Sequence, residues 1–134
     1  MAQYVNWSEI ELLTDILSDL ILKSSRTFSS ITTLSRGGLI PSRLLADHLG
    51  IQTILVDQET VSSKSLFVDD IFDSGITFKK ILSATDDPSQ LIYMTLYARR
   101  GKKYPPQLIY AEKTDNDDYV VFPWDSLEFQ NFQK

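Results

Sequence analysis

Residues 66–78 read Leu66-Phe67-Val68-Asp69-Asp70-Ile71-Phe72-Asp73-Ser74-Gly75-Ile76-Thr77-Phe78. The run joins an apolar strand, two adjacent carboxylates and a loop of small residues that opens a helix. Backbone N–H groups at a helix start point outward without partners, and the helix dipole favours an anion there. Ser74 and Thr77 add hydroxyl donors, and Gly75 allows a ligand to approach the backbone closely. The segment therefore predicts a phosphate-binding loop beside carboxylates suited to hydroxyl groups or a hard cation.

Three other motifs that combine acids or glycines do not fit the sequence. A nucleotide P-loop needs Gly-x-x-x-x-Gly-Lys-Ser/Thr and a dinucleotide fold needs Gly-x-Gly-x-x-Gly, and the chain contains neither. A calcium loop needs oxygen ligands at alternating positions, which Ile71 and Phe72 interrupt. These classes of nucleotide and calcium site are therefore excluded.

Predicted helices and strands alternate on both sides of this segment. The predicted helices are Ser8–Lys23, opened by a Ser8–Glu11 capping box, Pro41–Gly50 and Gly75–Ala84. The predicted strands are Ile31–Leu34, Thr53–Val56, Ser65–Val68, Leu91–Tyr97, Leu108–Ala111 and Tyr119–Phe122. The alternation indicates an α/β fold, a largely parallel twisted sheet flanked by helices. Ligands of such sheets bind beyond the carboxyl ends of the strands, which here selects Ser35–Gly38, Asp69–Thr77 and the stretch after Tyr97.

The composition is that of an ordinary globular protein, and we expect residues 1–134 to form a single domain. No apolar run approaches the roughly 20 residues that cross a bilayer, and no basic stretch at the N-terminus leads into an apolar one. We therefore expect a cytoplasmic protein without a membrane partner. The absence of cysteine excludes disulfides and thiolate metal sites. The net charge of −5 argues against a nucleic-acid partner, because phosphate contacts select a basic face.

Residues Val68–Thr77, V-D-D-I-F-D-S-G-I-T, resemble the signature of the type I phosphoribosyltransferase family. The resemblance extends to other segments. Ser35-Arg36-Gly37-Gly38 is similar to the pyrophosphate loop of the family, in which a cis peptide is frequent, here Ser35–Arg36. Tyr4–Trp7 and Phe122–Asp125 are similar to the opening strand and the Pro-Trp-Asp ending of the xanthine–guanine members. The chain thus resembles small bacterial and archaeal purine phosphoribosyltransferases of the xanthine–guanine and hypoxanthine–guanine types.

The resemblance implies the transfer of 5-phosphoribose from phosphoribosyl pyrophosphate to a 6-oxopurine, guanine or hypoxanthine and possibly xanthine. The products would be a nucleoside monophosphate and pyrophosphate, with Mg²⁺ as the cofactor. Asp69 and Asp70 would meet the ribose hydroxyls directly or through magnesium, and Asp73 would act as general base. The residues implied for the 5′-phosphate are Asp73, Ser74, Gly75, Ile76 and Thr77. Those implied for pyrophosphate are Ser35, Arg36, Gly37 and Gly38.

The resemblance also implies residues that recognise the base. Arg99 matches a cation, more usually lysine, that contacts the purine 6-oxo group; a surface charge is the alternative. Tyr119 matches an aromatic that stacks on the base, with ordinary core packing as the alternative, and the Val120 backbone would read the base edge. Asp125 matches a second-metal ligand beside the acid pair, although an acid after Trp124 can simply be exposed.

One departure from the family concerns the loop before the main motif. Active members have a long flexible hood loop between the second strand and the motif, whereas this chain leaves only Asp57–Ser65. The short segment favours an alternative, a non-catalytic sensor or regulatory subunit that binds phosphoribosyl pyrophosphate or a nucleotide. Asp73 favours the enzyme, because a pure binder needs no base there. An RNA-binding regulator on the same fold is disfavoured by the acidic charge. We expect a homodimer or homotetramer.

Overall fold

The computed structural model describes residues 1–132, and within them seven strands and four helices follow one another. The strands are β1 (Ala2–Tyr4), β2 (Ser30–Thr33), β3 (Thr53–Val56), β4 (Leu66–Phe72), β5 (Ile92–Ala98), β6 (Leu108–Lys113) and β7 (Tyr119–Val121). The helices are α1 (Trp7–Lys23), α2 (Leu39–Leu49), α3 (Ile76–Ala84) and α4 (Ser126–Phe132). Single 3-10 turns lie at Pro88–Gln90 and Pro123–Asp125. No helix in this range is long and apolar enough to cross a membrane.

A parallel sheet in the order β3-β2-β4-β5-β6 forms the centre of the fold. β1 and β7 form a separate parallel pair, with Gln3 opposite Val120. This architecture confirms the predicted α/β fold with a parallel sheet flanked by helices. Because all strands of the central sheet run in the same direction, the loops that follow β2 and β4 meet at one edge.

The core has one part on each face of the sheet. On one face, α1 and α2 contribute Ile10 and Leu45, which pack with Met94 of β5. On the other face, α3 contributes Phe78, which packs with Phe67 and Tyr93. Burial on both faces explains why β4 and β5 are nearly continuous apolar runs rather than alternating ones.

The first helix begins one residue before its predicted start, and its capping box uses different residues. Asn6 is the N-cap, and its side chain accepts a hydrogen bond from the Glu9 backbone N–H at 2.8 Å. The Glu9 carboxylate accepts in return from the Asn6 N–H at 3.4 Å. The predicted Ser8–Glu11 capping box is therefore wrong, because Ser8 already lies inside the helix.

β4 is longer than predicted, and this changes the setting of the two acids. Pairing with β5 continues through Asp69, which lies opposite Thr95, to Phe72, which lies opposite Ala98. Asp69 and Asp70 thus lie inside the strand rather than after it. Although successive side chains of a strand point to opposite faces, the charge of Asp69 raises the pKa of Asp70, so the two carboxylates lie close enough to interact.

Candidate functional site

A cleft of about 320 Å³ opens where β2 and β4 end. Three groups of predicted site residues line it: part of Ser35–Gly38, the predicted pyrophosphate loop; both acids of β4; and most of Asp73–Thr77, the predicted phosphate loop. Its wall consists of Leu34, Ser35, Gly37, Asp69, Asp70, Ile71, Phe72, Asp73, Ser74, Gly75, Thr77, Phe78 and Tyr93. The position agrees with the rule that ligands of a parallel sheet bind beyond its carboxyl edge.

The two acids of β4 are held by donors from their own strand and from β5. Asp69 Oδ1 accepts from the Asp70 backbone N–H at 2.8 Å, and Asp69 Oδ2 accepts from the Tyr93 hydroxyl at 3.1 Å. Asp70 Oδ1 accepts from the Ile71 backbone N–H at 2.7 Å. These bonds fix the orientation of both carboxylates before any ligand arrives.

Electrostatics at the acid pair favours a hydroxyl or cationic ligand. Burial raises the pKa of Asp69 and is the main cause of the shift. Burial also raises the pKa of Asp70 well above its ordinary value, and the charges of Asp69 and Asp125 raise it further. Two partly buried carboxylates that repel each other are stabilised by donors or by a positive charge. The pair therefore suits ribose hydroxyls or a divalent cation.

The phosphate loop runs from Asp73 into the first turn of α3. Gly75 is the N-cap with a φ of 85°, in the left-handed region that glycine adopts without strain. It has no side chain to cap the first-turn N–H groups, and the hydroxyl of Ser74 accepts only a long bond from Ile76 N at 3.4 Å. The helix start thus offers N–H donors and a positive dipole end to an anion.

Two glycines of the Ser35–Gly38 loop lie close to other groups, Gly37 to the Asp70 carboxylate and Gly38 to Thr33 and the Val68 backbone. The Ser35–Arg36 peptide bond is cis, as the resemblance implies. A Cβ at Gly37 would lie 2.7 Å from Asp70 Oδ2. A Cβ at Gly38 would lie 1.9 Å from Thr33 Oγ1 and 2.7 Å from the Val68 carbonyl oxygen.

Asp57, which sequence reasoning did not select, anchors this loop. Its carboxylate accepts from the Ser35 backbone N–H at 2.8 Å and from the Ser35 hydroxyl at 2.5 Å. These bonds lower the pKa of Asp57. Asp57 has a φ of 56°, which is uncommon for a residue other than glycine. An acid directly after a strand was the available signal, but its partner lies 22 positions away in the sequence.

Arg36 does not line the cleft and pairs instead with helix α4. Its Nη2 lies 2.9 Å from Glu128 Oε2, and both side chains are exposed. Asp125, at the 3-10 turn before α4, is partly buried, and burial raises its pKa. Its charge contributes to the raised pKa of Asp70, but Asp125 does not line the cleft.

Arg99 is buried, with 7% of its surface exposed, so it is not a surface charge. Its Nε donates to Asp73 Oδ1 at 3.1 Å and its Nη2 donates to Asp73 Oδ2 at 3.3 Å. Its Nη1 donates to the carbonyls of Asn116 at 3.0 Å and Asp118 at 2.8 Å. The residue matched to base reading therefore also holds the residue matched to the general base.

Tyr119 and Val120 of β7 differ in exposure. Tyr119 is 56% exposed, so it is not ordinary core, and its ring stacks on Phe129 of α4 at 5.6 Å between centroids. Val120 is buried against β1, opposite Gln3. Neither residue lines the cleft described above. Their roles in base binding stay predictions.

The donor set fits a magnesium ion that shares its coordination with a substrate. Within residues 1–132, no three His, Asp or Glu side chains converge as a ready-made metal site. Mg²⁺ in proteins is usually held by one or two carboxylates together with substrate phosphates and water. Asp69 and Asp70 supply two partly buried hard oxygen donors of that kind, and within residues 1–132 Asp125 does not complete a group of three with them.

The short segment that replaces a hood loop does not cover the cleft. Val61 pairs with Thr85 and donates its N–H to the Ala84 carbonyl at 3.0 Å. Ser63 donates its N–H to Asp86 Oδ1 at 2.7 Å. These contacts hold Val61 and Ser63 at the C-terminal end of α3, whereas Asp57, at the start of the segment, holds Ser35 in the cleft wall.

No protein-family model matches the chain. A curated relative from Gluconobacter oxydans named xanthine-guanine phosphoribosyltransferase is 24% identical over 147 positions, covering 91% of this chain and 83% of the relative. A Pyrococcus horikoshii purine phosphoribosyltransferase structure superposes with a TM-score of 0.71 at 20% identity, covering 92% of this chain and 93% of the other. The structure of the Helicobacter pylori xanthine-guanine-hypoxanthine phosphoribosyltransferase superposes with a TM-score of 0.78 at 15% identity, covering 99% of both chains. These comparisons confirm the predicted resemblance and the predicted fold.

Proposed function

We propose that this chain, which has the type I phosphoribosyltransferase fold and is related to xanthine-guanine phosphoribosyltransferases, is an enzyme of that glycosyltransferase class that acts on a purine. The proposed reaction joins a nitrogen of a 6-oxopurine to C1′ of phosphoribosyl pyrophosphate. The C1′–O bond to pyrophosphate breaks, and the purine loses a proton. The products are a nucleoside monophosphate and pyrophosphate.

The observation that carries this proposal is the convergence of three binding elements on one cleft. The phosphate loop, the acid pair of β4 and the Ser35–Gly38 loop come from segments that are far apart in sequence, and all three contribute to the same wall. One phosphorylated ribose has the matching groups: a 5′-phosphate, a pair of hydroxyls and a pyrophosphate at C1′. A site for phosphate alone would need only the first element.

Each group of the phosphoribosyl substrate has a complementary hydrogen-bond donor or acceptor in the cleft. The N–H groups at the start of α3, together with the hydroxyls of Ser74 and Thr77, supply donors to the 5′-phosphate. Asp69 and Asp70 supply acceptors to the ribose hydroxyls. The Gly37 amide supplies a donor to pyrophosphate, whereas the Gly38 N–H donates to the Leu34 carbonyl at 3.2 Å. Substrate positioning of this kind accounts for a large part of the rate in displacement reactions.

Asp73 is the proposed general base at the purine end. It lines the cleft at the mouth of the phosphate loop, and its side chain is 55% exposed, so a ligand can reach it. Its carboxylate would take the proton that the purine nitrogen loses as the new bond forms. The paired guanidinium of Arg99 fixes the orientation of that carboxylate.

Magnesium is the proposed cofactor, held by Asp69 and Asp70 with Asp125 as a further candidate ligand. When bound, it would stabilise the negative charge that develops on the departing pyrophosphate. Residues of the protein would also stabilise the charges that develop as pyrophosphate departs. The Gly37 amide binds the leaving group, and the partly buried acid pair favours the positive charge that develops on the ribose ring.

The direct test is to incubate the pure chain with phosphoribosyl pyrophosphate, MgCl₂ and each of guanine, hypoxanthine, xanthine and adenine. We expect a nucleoside monophosphate and stoichiometric pyrophosphate with at least one 6-oxopurine. The matched control is the Asp69→Asn, Asp70→Asn double variant, which replaces both carboxylates by uncharged amides of the same size. Absence of product with all four bases would reject the enzymatic function.

A second candidate is favoured by the position of residues 57–65. None of residues 57–65, all of which the structure describes, lines the cleft, and Val61 and Ser63 are held at the far end of α3, so the segment does not cover the cleft as a hood loop would. A sensor that binds phosphoribosyl pyrophosphate or a nucleotide needs no such exclusion. Binding of phosphoribosyl pyrophosphate in calorimetry, with no product from any base, would establish this candidate.

A further inference from the structure

We propose that Tyr93 is a positioning residue for the ribose end of the substrate, because its hydroxyl holds Asp69 while its ring contacts the helix that follows the phosphate loop. The inference rests on the proposed function, since it assigns a role within the same site. Tyr93 lines the cleft, and no sequence motif pointed to it.

The hydroxyl of Tyr93 completes the support of Asp69. It donates to Asp69 Oδ2 at 3.1 Å, while the Asp70 backbone N–H donates to Asp69 Oδ1 at 2.8 Å. Each carboxylate oxygen therefore has one donor, and together the two bonds set the plane of the carboxylate. Removal of the hydroxyl leaves Oδ2 without this donor and frees the carboxylate to rotate.

The ring of Tyr93 is held as firmly as its hydroxyl. Only 1% of the residue is exposed. The ring stacks on Phe67 with centroids 4.8 Å apart, and it meets Phe78 edge to face at 5.2 Å. Phe78 follows Thr77 in the first turns of α3, so the ring links the phosphate-loop helix to the acid pair. This packing fixes the distance between the groups proposed for the 5′-phosphate and those proposed for the ribose hydroxyls.

Tyr97 of the same strand shows that packing alone does not explain the hydroxyl at position 93. Both tyrosines are fully buried in β5. Within the described residues, the Tyr97 hydroxyl has no hydrogen-bond partner. Tyr97 packs with Phe122 on the other face of the sheet and does not line the cleft. Tyr97→Phe therefore removes the same chemical group from the same strand without touching the site.

The test compares Tyr93→Phe with Tyr97→Phe in steady-state kinetics and in calorimetric titration with phosphoribosyl pyrophosphate and magnesium. Tyr93→Phe keeps the ring and its packing. We expect kcat/KM for phosphoribosyl pyrophosphate to fall by about tenfold to a hundredfold, the usual effect of losing a hydrogen bond to a charged group. We expect the KM of the purine to stay within about twofold, because the purine end lies at Asp73. Tyr97→Phe should match the unaltered chain in both parameters.

Three results would overturn the inference. These are an unchanged kcat/KM and affinity for phosphoribosyl pyrophosphate in Tyr93→Phe, an equal loss in both variants, or a matching rise in the purine KM. If the unaltered chain forms no nucleotide, the enzymatic function fails on its own. The role of Tyr93 is then decided by calorimetry, where a weaker affinity confined to Tyr93→Phe supports it and an unchanged affinity rejects it.

Discussion

The guanidinium of Arg99 donates hydrogen bonds to both carboxylate oxygens of Asp73, from Nε to Oδ1 at 3.1 Å and from Nη2 to Oδ2 at 3.3 Å. Its remaining nitrogen donates to the carbonyls of Asn116 and Asp118, in the turn before β7. Arg99 thus ties the mouth of the phosphate loop to the strand that carries Tyr119. An arginine has one more N–H than these four bonds use, and it lies on Nη2 beside Asp73. We propose this N–H as the donor to a purine 6-oxo group.

We predict that guanine and hypoxanthine are preferred over adenine by about tenfold to a hundredfold. A 6-oxo group accepts the remaining N–H of Arg99, whereas adenine presents an amino donor and leaves a buried charged donor unpaired. Competitive assays with the four bases measure the preference. Arg99→Lys should keep part of the preference for 6-oxopurines, because a cationic donor remains. Arg99→Ala should lose that preference. Arg100→Ala is the control, since Arg100 donates to the Thr114 carbonyl rather than to Asp73. Equal use of adenine and guanine would remove Arg99 from base recognition.

Asp73→Asn should slow nucleotide formation by roughly 10²–10⁴-fold, the usual contribution of a general base. Affinity for phosphoribosyl pyrophosphate should change little, because the phosphate donors of the loop are backbone N–H and hydroxyl groups. Single-turnover kinetics and calorimetry separate the two effects. Asp117→Asn is the matched control, an exposed carboxylate in the turn before β7. A turnover equal to that of the unaltered chain would exclude Asp73 from proton transfer.

Binding of phosphoribosyl pyrophosphate should depend on magnesium. The acid pair repels a pyrophosphate anion unless a cation lies between them, and Mg²⁺ prefers such hard oxygen donors. Calorimetric titration in excess MgCl₂ and in excess chelator decides the matter, with a measurable affinity expected only in the first. The same affinity in both solutions would contradict a metal-bridged arrangement.

Asp70→Asn should raise the melting temperature of the ligand-free chain at pH 8 more than at pH 4. The pKa of Asp70 is raised in the folded state, so the folded state binds its proton more tightly than the unfolded state. The stability from this proton is complete below the unfolded pKa of about 4 and is lost as the pH rises through the folded pKa. The Asp70→Asn variant has no carboxylate to ionise at this position, so its stability does not fall in this way as the pH rises. Thermal unfolding of both chains at pH 4 and pH 8 measures the difference in melting temperature. A larger rise at pH 4 than at pH 8 would contradict the prediction.

Gly38→Ala and Gly37→Ala should damage different properties. At Gly38 the added Cβ meets Thr33 Oγ1 and the backbone oxygen of Val68, so we expect a loss of stability of about 1–3 kcal/mol. At Gly37 it meets only the Asp70 carboxylate, so we expect weaker binding of phosphoribosyl pyrophosphate with a smaller loss of stability. Denaturant unfolding and calorimetry distinguish them. Equal stability losses would show that Asp70 cannot shift to accommodate the Cβ.

The sequence predicted most of the architecture because the relevant signals are local. Gly50, expected to end a helix, caps α2 with a φ of 70°, and Thr53–Val56 is a strand over that same range. The cap of α1 was misassigned because Asn6 and Ser8 both start acceptable capping boxes by spacing. The length of β4 was underestimated because the pairing partner that extends it past Asp69 is a separate strand.

The phosphate loop follows from local chemistry, since a glycine N-cap, small hydroxyl side chains and a helix start lie within Asp73–Thr77. The partners of the site residues depend on tertiary packing instead. Tyr93 reaches Asp69 across neighbouring strands, Arg99 reaches Asp73 and Asp57 reaches Ser35, each at a sequence separation above 20. No periodicity or spacing encodes such contacts, because strand order and register decide which side chains meet. The sequence therefore predicted the chemical groups of the cleft, and the parallel sheet determined which of them hold one another in place.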